Sequence, residues 1–173
     1  MQNSKRLPRE EISKKCQQLK AQNHQIVLCH GCFDLLHIGH LRHFKAAKSF
    51  GDILIVSLTA DKFISKGTFQ PIFSQELRME FVASLECVDY VAFSNNPSAV
   101  EEIRLIKPHF FAKGSDYKIR NEHTNPNIYL EEQAVAEMGG KLVYTDDLTF
   151  SSTNLLEIIT ERLKKGIPIG CNI

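Results

Sequence analysis

Apolar positions along the 173-residue chain gather into short blocks with two different spacings. Contiguous, β-branched blocks read as buried strands: Ile26 to Leu28, Asp52 to Thr59 (DILIVSLT), Val88 to Phe93, His109 to Ala112 and Lys141 to Tyr144. Between them the apolar residues recur every three or four positions. Ile12, Cys16 and Leu19 mark a thin amphipathic helix from Arg9 to Ala21, expected to lie on the outside. Leu41 to Ser49 reads as a helix, and Ser74 as the N-cap of another running to about Leu85. Asn96 with Pro97, and Asn125 with Pro126, cap two more, the first ending before Pro108 and the second at Met138 ahead of Gly139 and Gly140. Leu155, Leu156, Ile159 and Leu163 give the last helix one apolar face. Strand and helix alternate throughout, which predicts a single α/β domain with a doubly wound, five-stranded parallel sheet and right-handed crossovers. The domain is expected to span residues 1–165, with residues 1–24 packed outside and 166–173 (IPIGCNI after Gly166) as tail or linker.

Composition narrows the class. An apolar content of 43% with 24% charged residues is that of a globular domain with a full core. The net charge of +1 offers no global field for nucleic acid, so any phosphate site must be local. No apolar run reaches the length of a membrane span and the N-terminus is polar, so a cytoplasmic protein without membrane or nucleic-acid partners is expected. The five cysteines are scattered and suggest no disulfide framework. Cys29 and Cys32 do form a C-x-x-C, but no second ligand pair of zinc spacing accompanies it. Cys29 is expected in the core and Cys32 as a small residue in a turn, with a redox module as the competing reading.

The chemistry concentrates between Ile26 and His40, IVLCHGCFDLLHIGH, where a strand breaks at Gly31 and hands over to a helix. Gly31 removes a Cβ where a phosphate needs close approach, and the amides of Gly31, Cys32 and Phe33 precede a helix N-terminus, a natural anion site. Asp34 is expected to fix the turn through its own side chain. His37 and His40 are three residues apart and share a face, with Gly39 leaving a slot between them. Two imidazoles at a helix entrance can donate hydrogen bonds to a phosphoryl group as its charge grows. Lys113, leaving a strand just before Gly114, lies at the edge where open α/β sheets bind ligands.

The residues GCFDLLHIGH resemble the signature of the nucleotidyltransferase superfamily with the cytidylyltransferase-like, Rossmann-like fold, whose H-x-G-H box binds a triphosphate. Three further stretches carry the resemblance from about Ile26 to Leu163. DKFISKG resembles a loop whose lysine reaches the phosphates, which implies that role for Lys66. QPIFSQELRMEF resembles the segment holding an arginine near the substrate, here Arg78. FFAKGSDYK is similar to the K-G-x-D-Y box of heptose-phosphate adenylyltransferases, implying nucleotide contacts by Lys113, Gly114 and Asp116. FSSTNLL resembles their closing segment, implying triphosphate contacts by Ser151, Ser152 and Thr153. One departure is His30, which stands where those enzymes usually show Asn and bears on substrate contact or base preference.

The resemblance implies transfer of a nucleotidyl group from an NTP, ATP ahead of CTP, to a sugar or polyol phosphate with release of pyrophosphate. Positioning and charge stabilisation suffice for a phosphate nucleophile, so no covalent intermediate is needed. Mg²⁺ is expected to arrive with the triphosphate rather than in a protein cage, and no metal ligand is assigned. A homodimer and a fused or partner sugar kinase are the protein partners considered. The competing class is a nucleotide-binding regulatory domain without turnover. A class I aminoacyl-tRNA synthetase shares HIGH, but 173 residues leave no room for its tRNA-binding parts.

Overall fold

A computed structural model describes residues 4–64, 71–118, 127–146 and 152–166, the side chains of Ser152 and Thr153 excepted. Five strands, β1 (Ile26–Gly31), β2 (Ile53–Thr59), β3 (Tyr90–Ser94), β4 (Phe110–Gly114) and β5 (Lys141–Thr145), form one parallel sheet in the order β3-β2-β1-β4-β5. Among the described residues six α-helices accompany it: α1 (Arg9–Ala21), α2 (Ile38–Lys48), α3 (Gln75–Ala83), α4 (Val100–Ile106), α5 (Ile128–Glu137) and α6 (Ser152–Lys164). None of them is long and apolar enough to cross a membrane.

Side-chain alternation along β1 explains the two layers. Val27 and Cys29 face one side, where Phe44 and Ala47 of α2 and Met79, Val82 and Ala83 of α3 complete a core. Ile26 and Leu28 face the other, against α1, Ile103 and Ile106 of α4, and Ala134 and Val135 of α5. Both faces are covered, as the contiguous apolar strand blocks require.

α1 does more than lie outside. Ile12, Cys16 and Leu19 are buried in the second core. The strap before it hydrogen-bonds along the free edge of β3, Leu7 N donating to Val91 O at 2.9 Å and Val91 N to Lys5 O at 2.8 Å. That segment closes an edge that would otherwise present unpaired backbone groups.

Several boundaries differ from those expected. β1 continues through Cys29 and His30 to Gly31, because both pair with β2 at Val56 and Ser57, a long-range ladder that local apolarity does not reveal. β4 likewise runs on through Lys113 to Gly114, opposite Tyr144 and Thr145. α2 opens at Ile38 rather than Leu41. α4 opens at Val100 rather than after Asn96 and Pro97, since Ser94 Oγ holds both the amide and the carbonyl of Asn96 in a turn. Asn125 and Pro126 lie outside the described residues, and α5 begins at Ile128.

Candidate active site

The strand order reverses direction between β1 and β4, and the crevice outside the carboxyl ends of such a pair is where open α/β sheets bind ligands. α2 begins there. His37, in extended conformation, is its N-cap, and its Nδ1 accepts the amide of Gly39 at 3.1 Å. The amide of His37 in turn donates to Nδ1 of His40 at 3.4 Å. The two imidazoles thus perform the reciprocal capping that Ser and Glu usually supply. A chemical consequence follows. Each Nδ1 is an acceptor, so in each neutral ring the proton sits on Nε2. The ring planes are tilted by 30° with their centroids 3.9 Å apart. Burial lowers the His37 pKa, and burial with the neighbouring His37 and His43 lowers that of His40 to about 4. Both rings are neutral donors at pH 7.

The turn between β1 and α2 is built differently from the expectation. A Cβ on Gly31 would meet the Phe33 ring at 3.1 Å, so the space that Gly31 vacates is taken by that ring and not left open to a phosphate. Phe33, at φ 50°, wedges edge-on between His40 and Phe44, with centroids at 5.6 and 4.8 Å. Leu35, at φ 46°, completes a strained turn. The helix N-terminal amides therefore start at Ile38, after the strained turn, and not at Gly31, Cys32 and Phe33. Asp34 reaches beyond its own turn: its carboxylate accepts the amides of Ile72 at 2.7 Å and Phe73 at 3.1 Å, tying the turn to the segment ahead of α3.

Arg78 requires the largest correction. Only 2% exposed, it is no free substrate ligand. Its Nε donates to Phe73 O at 3.1 Å, one terminal nitrogen to Cys32 O, and the other to Thr59 O at 2.8 Å and to Asp61 Oδ1 at 2.7 Å. Four of five guanidinium donors are spent inside the protein. Arg78 clamps the turn after β1 to the end of β2.

His30, at the end of β1, is buried with Nδ1 2.7 Å from Ser57 Oγ and Nε2 3.4 Å from Thr59 Oγ1. Burial and the neighbouring Lys113 cation push its pKa down to about 3. Lys113 Nζ pairs with Glu131 Oε2 of α5 at 2.7 Å and lies over the rings of Phe111 and Tyr117. Glu131 Oε1 accepts the amide of Ala99, so one buried carboxylate joins β4, α5 and the start of α4. The Asp116 carboxylate folds back over Gly114, occupying the space a Cβ would take. Asp116 itself is exposed. Lys66 and Ser151 lie outside the described residues; Ser152 and Thr153 open α6, with side chains outside the description.

Burial holds the Cys29 thiol well above its ordinary pKa, in a core of aliphatic and aromatic side chains. A thiol so placed is a poor partner for exchange with Cys32, which counts against the redox reading. Sequence reasoning passed over Ser57 and Thr59, Glu131, Asp61 and the contact of His43 Nδ1 with Thr145 Oγ1 at 2.8 Å. Only the first pair left a trace, two hydroxyls in alternation within an otherwise apolar strand.

The buried imidazoles set a pH dependence of stability. In the unfolded chain they take up protons near pH 6.5, whereas the fold keeps His40 and His30 neutral down to about 4 and about 3. Between those values the unfolded state binds more protons, so their contribution is complete above pH 6.5 and is lost as pH falls. Urea midpoints at pH 7.0, 5.5 and 4.5 should fall progressively, and His30→Asn should flatten that decline. Parallel curves for the two proteins would mean that the His30 ring ionises within the fold.

Residues 28–158, from β1 into α6, match the family described as cytidylyltransferase-like. A bifunctional protein HldE of Aliarcobacter butzleri is 38% identical over 157 residues, which cover 90% of this chain and 31% of that protein. Its counterpart in Wolinella succinogenes is 41% identical over 114 residues, 65% of this chain and 24% of the relative. The chain spans about a third or less of the curated relatives it matches. Among solved structures, a lipopolysaccharide core biosynthesis protein from Thermoplasma volcanium superposes with a TM-score of 0.59 at 24% identity, over 73% of this chain and 99% of that one. A pantoate-β-alanine ligase from Francisella tularensis gives 0.60 at 16% identity, over 96% and 80%. These two likenesses speak to the fold alone. The family match over residues 28–158, with 38% identity to a relative across 90% of this chain, shows that the chain belongs to the cytidylyltransferase-like family of nucleotidyltransferases.

Proposed function

We propose that the chain transfers an adenylyl group from ATP to a sugar phosphate of the heptose 1-phosphate type. An oxygen of the acceptor phosphate attacks the α-phosphorus, the bond from that phosphorus to the bridging oxygen breaks, and pyrophosphate leaves. The observation that carries the reading is the pair of neutral imidazoles, centroids 3.9 Å apart, whose Nδ1 atoms accept backbone amides at a helix N-terminus, so that each ring carries its proton on Nε2. Such donors stabilise charge that develops on the phosphoryl oxygens without being titrated near neutral pH. The helix amides add to the same field. Lys66 and the hydroxyls of Ser151, Ser152 and Thr153 would serve the outer phosphates, and Mg²⁺ comes in with the triphosphate as part of the substrate.

Support for the acceptor comes from relatives named bifunctional protein HldE and from the KGSDY and FSSTN segments, which resemble those of heptose-phosphate adenylyltransferases. The length of those relatives supports a sugar kinase, fused or separate, as the supplier of the phosphorylated acceptor. Pyrophosphate release should be screened over four NTPs against heptose 1-phosphate, other sugar phosphates and glycerol 3-phosphate. ATP with Mg²⁺ should both raise the melting temperature, by mass action on the native state, and support turnover. CTP doing both while ATP does neither would replace the adenylyl assignment by a cytidylyl one. Binding of a nucleotide without turnover on any acceptor would favour the regulatory domain.

A further inference from the structure

On the face of the sheet that packs against α1, α4 and α5, the strand residues are apolar until they reach the carboxyl ends, and polar there. By alternation His30 succeeds Leu28, Ser57 succeeds Ile55 and Lys113 succeeds Phe111, all of them buried. α5 answers the last of these polar residues with Glu131. The Lys113 and Glu131 side chains are only 6% and 3% exposed, with Nζ 2.7 Å from Oε2. The other carboxylate oxygen, Oε1, accepts the Ala99 amide at 3.0 Å. The start of α4 thus anchors the carboxylate, and the carboxylate anchors the ammonium. The Phe111 and Tyr117 rings complete the enclosure, their centroids 4.9 and 4.6 Å from Nζ.

Stability does not account for this pair. Two buried charges hold a helix on a strand no better than an apolar pair of the same volume, because desolvation offsets their attraction. Nor is Lys113 placed as a phosphate ligand. It lies on the opposite face of the sheet from α2 and its two imidazoles, and Glu131 cancels its charge for an anion approaching the crevice. What the pair supplies is direction. Among the described residues Glu131 is the hydrogen-bond acceptor of Nζ and engages one of its three donors, at the carboxyl end of β4 where a ligand enters. We infer that Glu131 is a positioning residue of the nucleotide site, holding Lys113 as a neutralised, directed donor to the uncharged oxygen and nitrogen atoms of the nucleoside and not to its phosphates. This role rests on the nucleotide binding proposed above.

Calorimetric titration with ATP and with inorganic tripolyphosphate, both with Mg²⁺, separates nucleoside from phosphate contacts. Lys113→Met should raise the Kd for ATP about 10–100-fold, the loss of one charged hydrogen bond, and leave that for tripolyphosphate unchanged. Glu131→Gln keeps an acceptor for the Ala99 amide but removes the charge, and should raise the Kd for ATP about 10-fold, again without effect on tripolyphosphate. Each single variant leaves one buried charge unpaired and should melt below the wild type. Lys113→Met combined with Glu131→Gln leaves none and should regain part of that loss, so the comparison does not depend on the stability of the single variants. In the combined variant Glu131→Gln should add nothing to the effect of Lys113→Met on ATP, because Glu131 acts through the lysine. Equal losses for ATP and tripolyphosphate would overturn the inference, since Lys113 would then bind phosphate or Glu131 merely hold the fold. So would an ATP affinity unchanged in both single variants, or additive losses in the combined one. A wild-type chain that binds ATP but releases no pyrophosphate on any acceptor would remove the proposed reaction, while the binding ratios still decide the role of Glu131.

Discussion

His40→Ala is expected to lower kcat by about 10²–10³-fold, and His37→Ala by a similar factor, the loss typical of a preorganised donor to developing charge. Each substitution also removes a cap, which costs about 1 kcal/mol of stability, so folding and chemistry must be separated. The geometry supplies the control. His37→Asn keeps a side-chain acceptor for the Gly39 amide, which His37 Nδ1 now holds at 3.1 Å, but cannot place a donor where Nε2 stands. It should recover the stability lost by the alanine variant and little of the rate. Turnover near that of the wild type in His37→Asn or His40→Ala, measured by pyrophosphate release on folded protein, would remove the imidazoles from the mechanism. Because burial holds the His40 pKa at about 4, the rate should show no ionisation of that ring between pH 6 and 8 in the free enzyme.

What the sequence disclosed and what it concealed divide along a physical line. The five strands were legible because a parallel sheet covered on both faces demands contiguous β-branched and apolar residues, as in ILIVSLT of β2. HIGH was legible because its residues act on one another locally, three positions apart. Gly31 apart, the roles read differently from the structure belong to side chains whose partners are distant in sequence. Asp34 binds amides 38 and 39 residues away. Arg78 reaches Cys32, 46 residues away, and Lys113 finds Glu131 on another helix. Even Gly31, chosen by its lack of a Cβ, was assigned to a ligand when the ring two positions on fills the space. Local pattern fixes elements and the motifs within them, whereas the partners of a long polar side chain are decided by which ends of which strands the topology brings together.

Arg78 offers the sharpest contest between the two kinds of evidence. If it binds the acceptor, as its sequence context suggests, Arg78→Met should raise KM for the sugar phosphate and leave stability nearly unchanged. The structure predicts the reverse order of effects. Removing the guanidinium strands the carbonyls of Cys32, Thr59 and Phe73 and leaves Asp61 without its cation. Breaking a buried charged network of this kind costs about 3–5 kcal/mol, a large part of the 5–15 kcal/mol that holds a typical domain together. The Cys32 carbonyl also opens the turn in which Phe33 and Leu35 are held at positive φ, so its release should relax the support under His40. Because Arg78→Met is expected to populate unfolded chain, Asp61→Ala gives a milder probe. It removes the 2.7 Å charged hydrogen bond and the acceptor that Asp61 Oδ2 offers the Gln75 amide at 3.0 Å, and should cost about 1.5–3 kcal/mol in urea denaturation. Stability within 0.5 kcal/mol of the wild type in Asp61→Ala, together with a folded Arg78→Met whose only defect is a raised KM, would return Arg78 to the substrate.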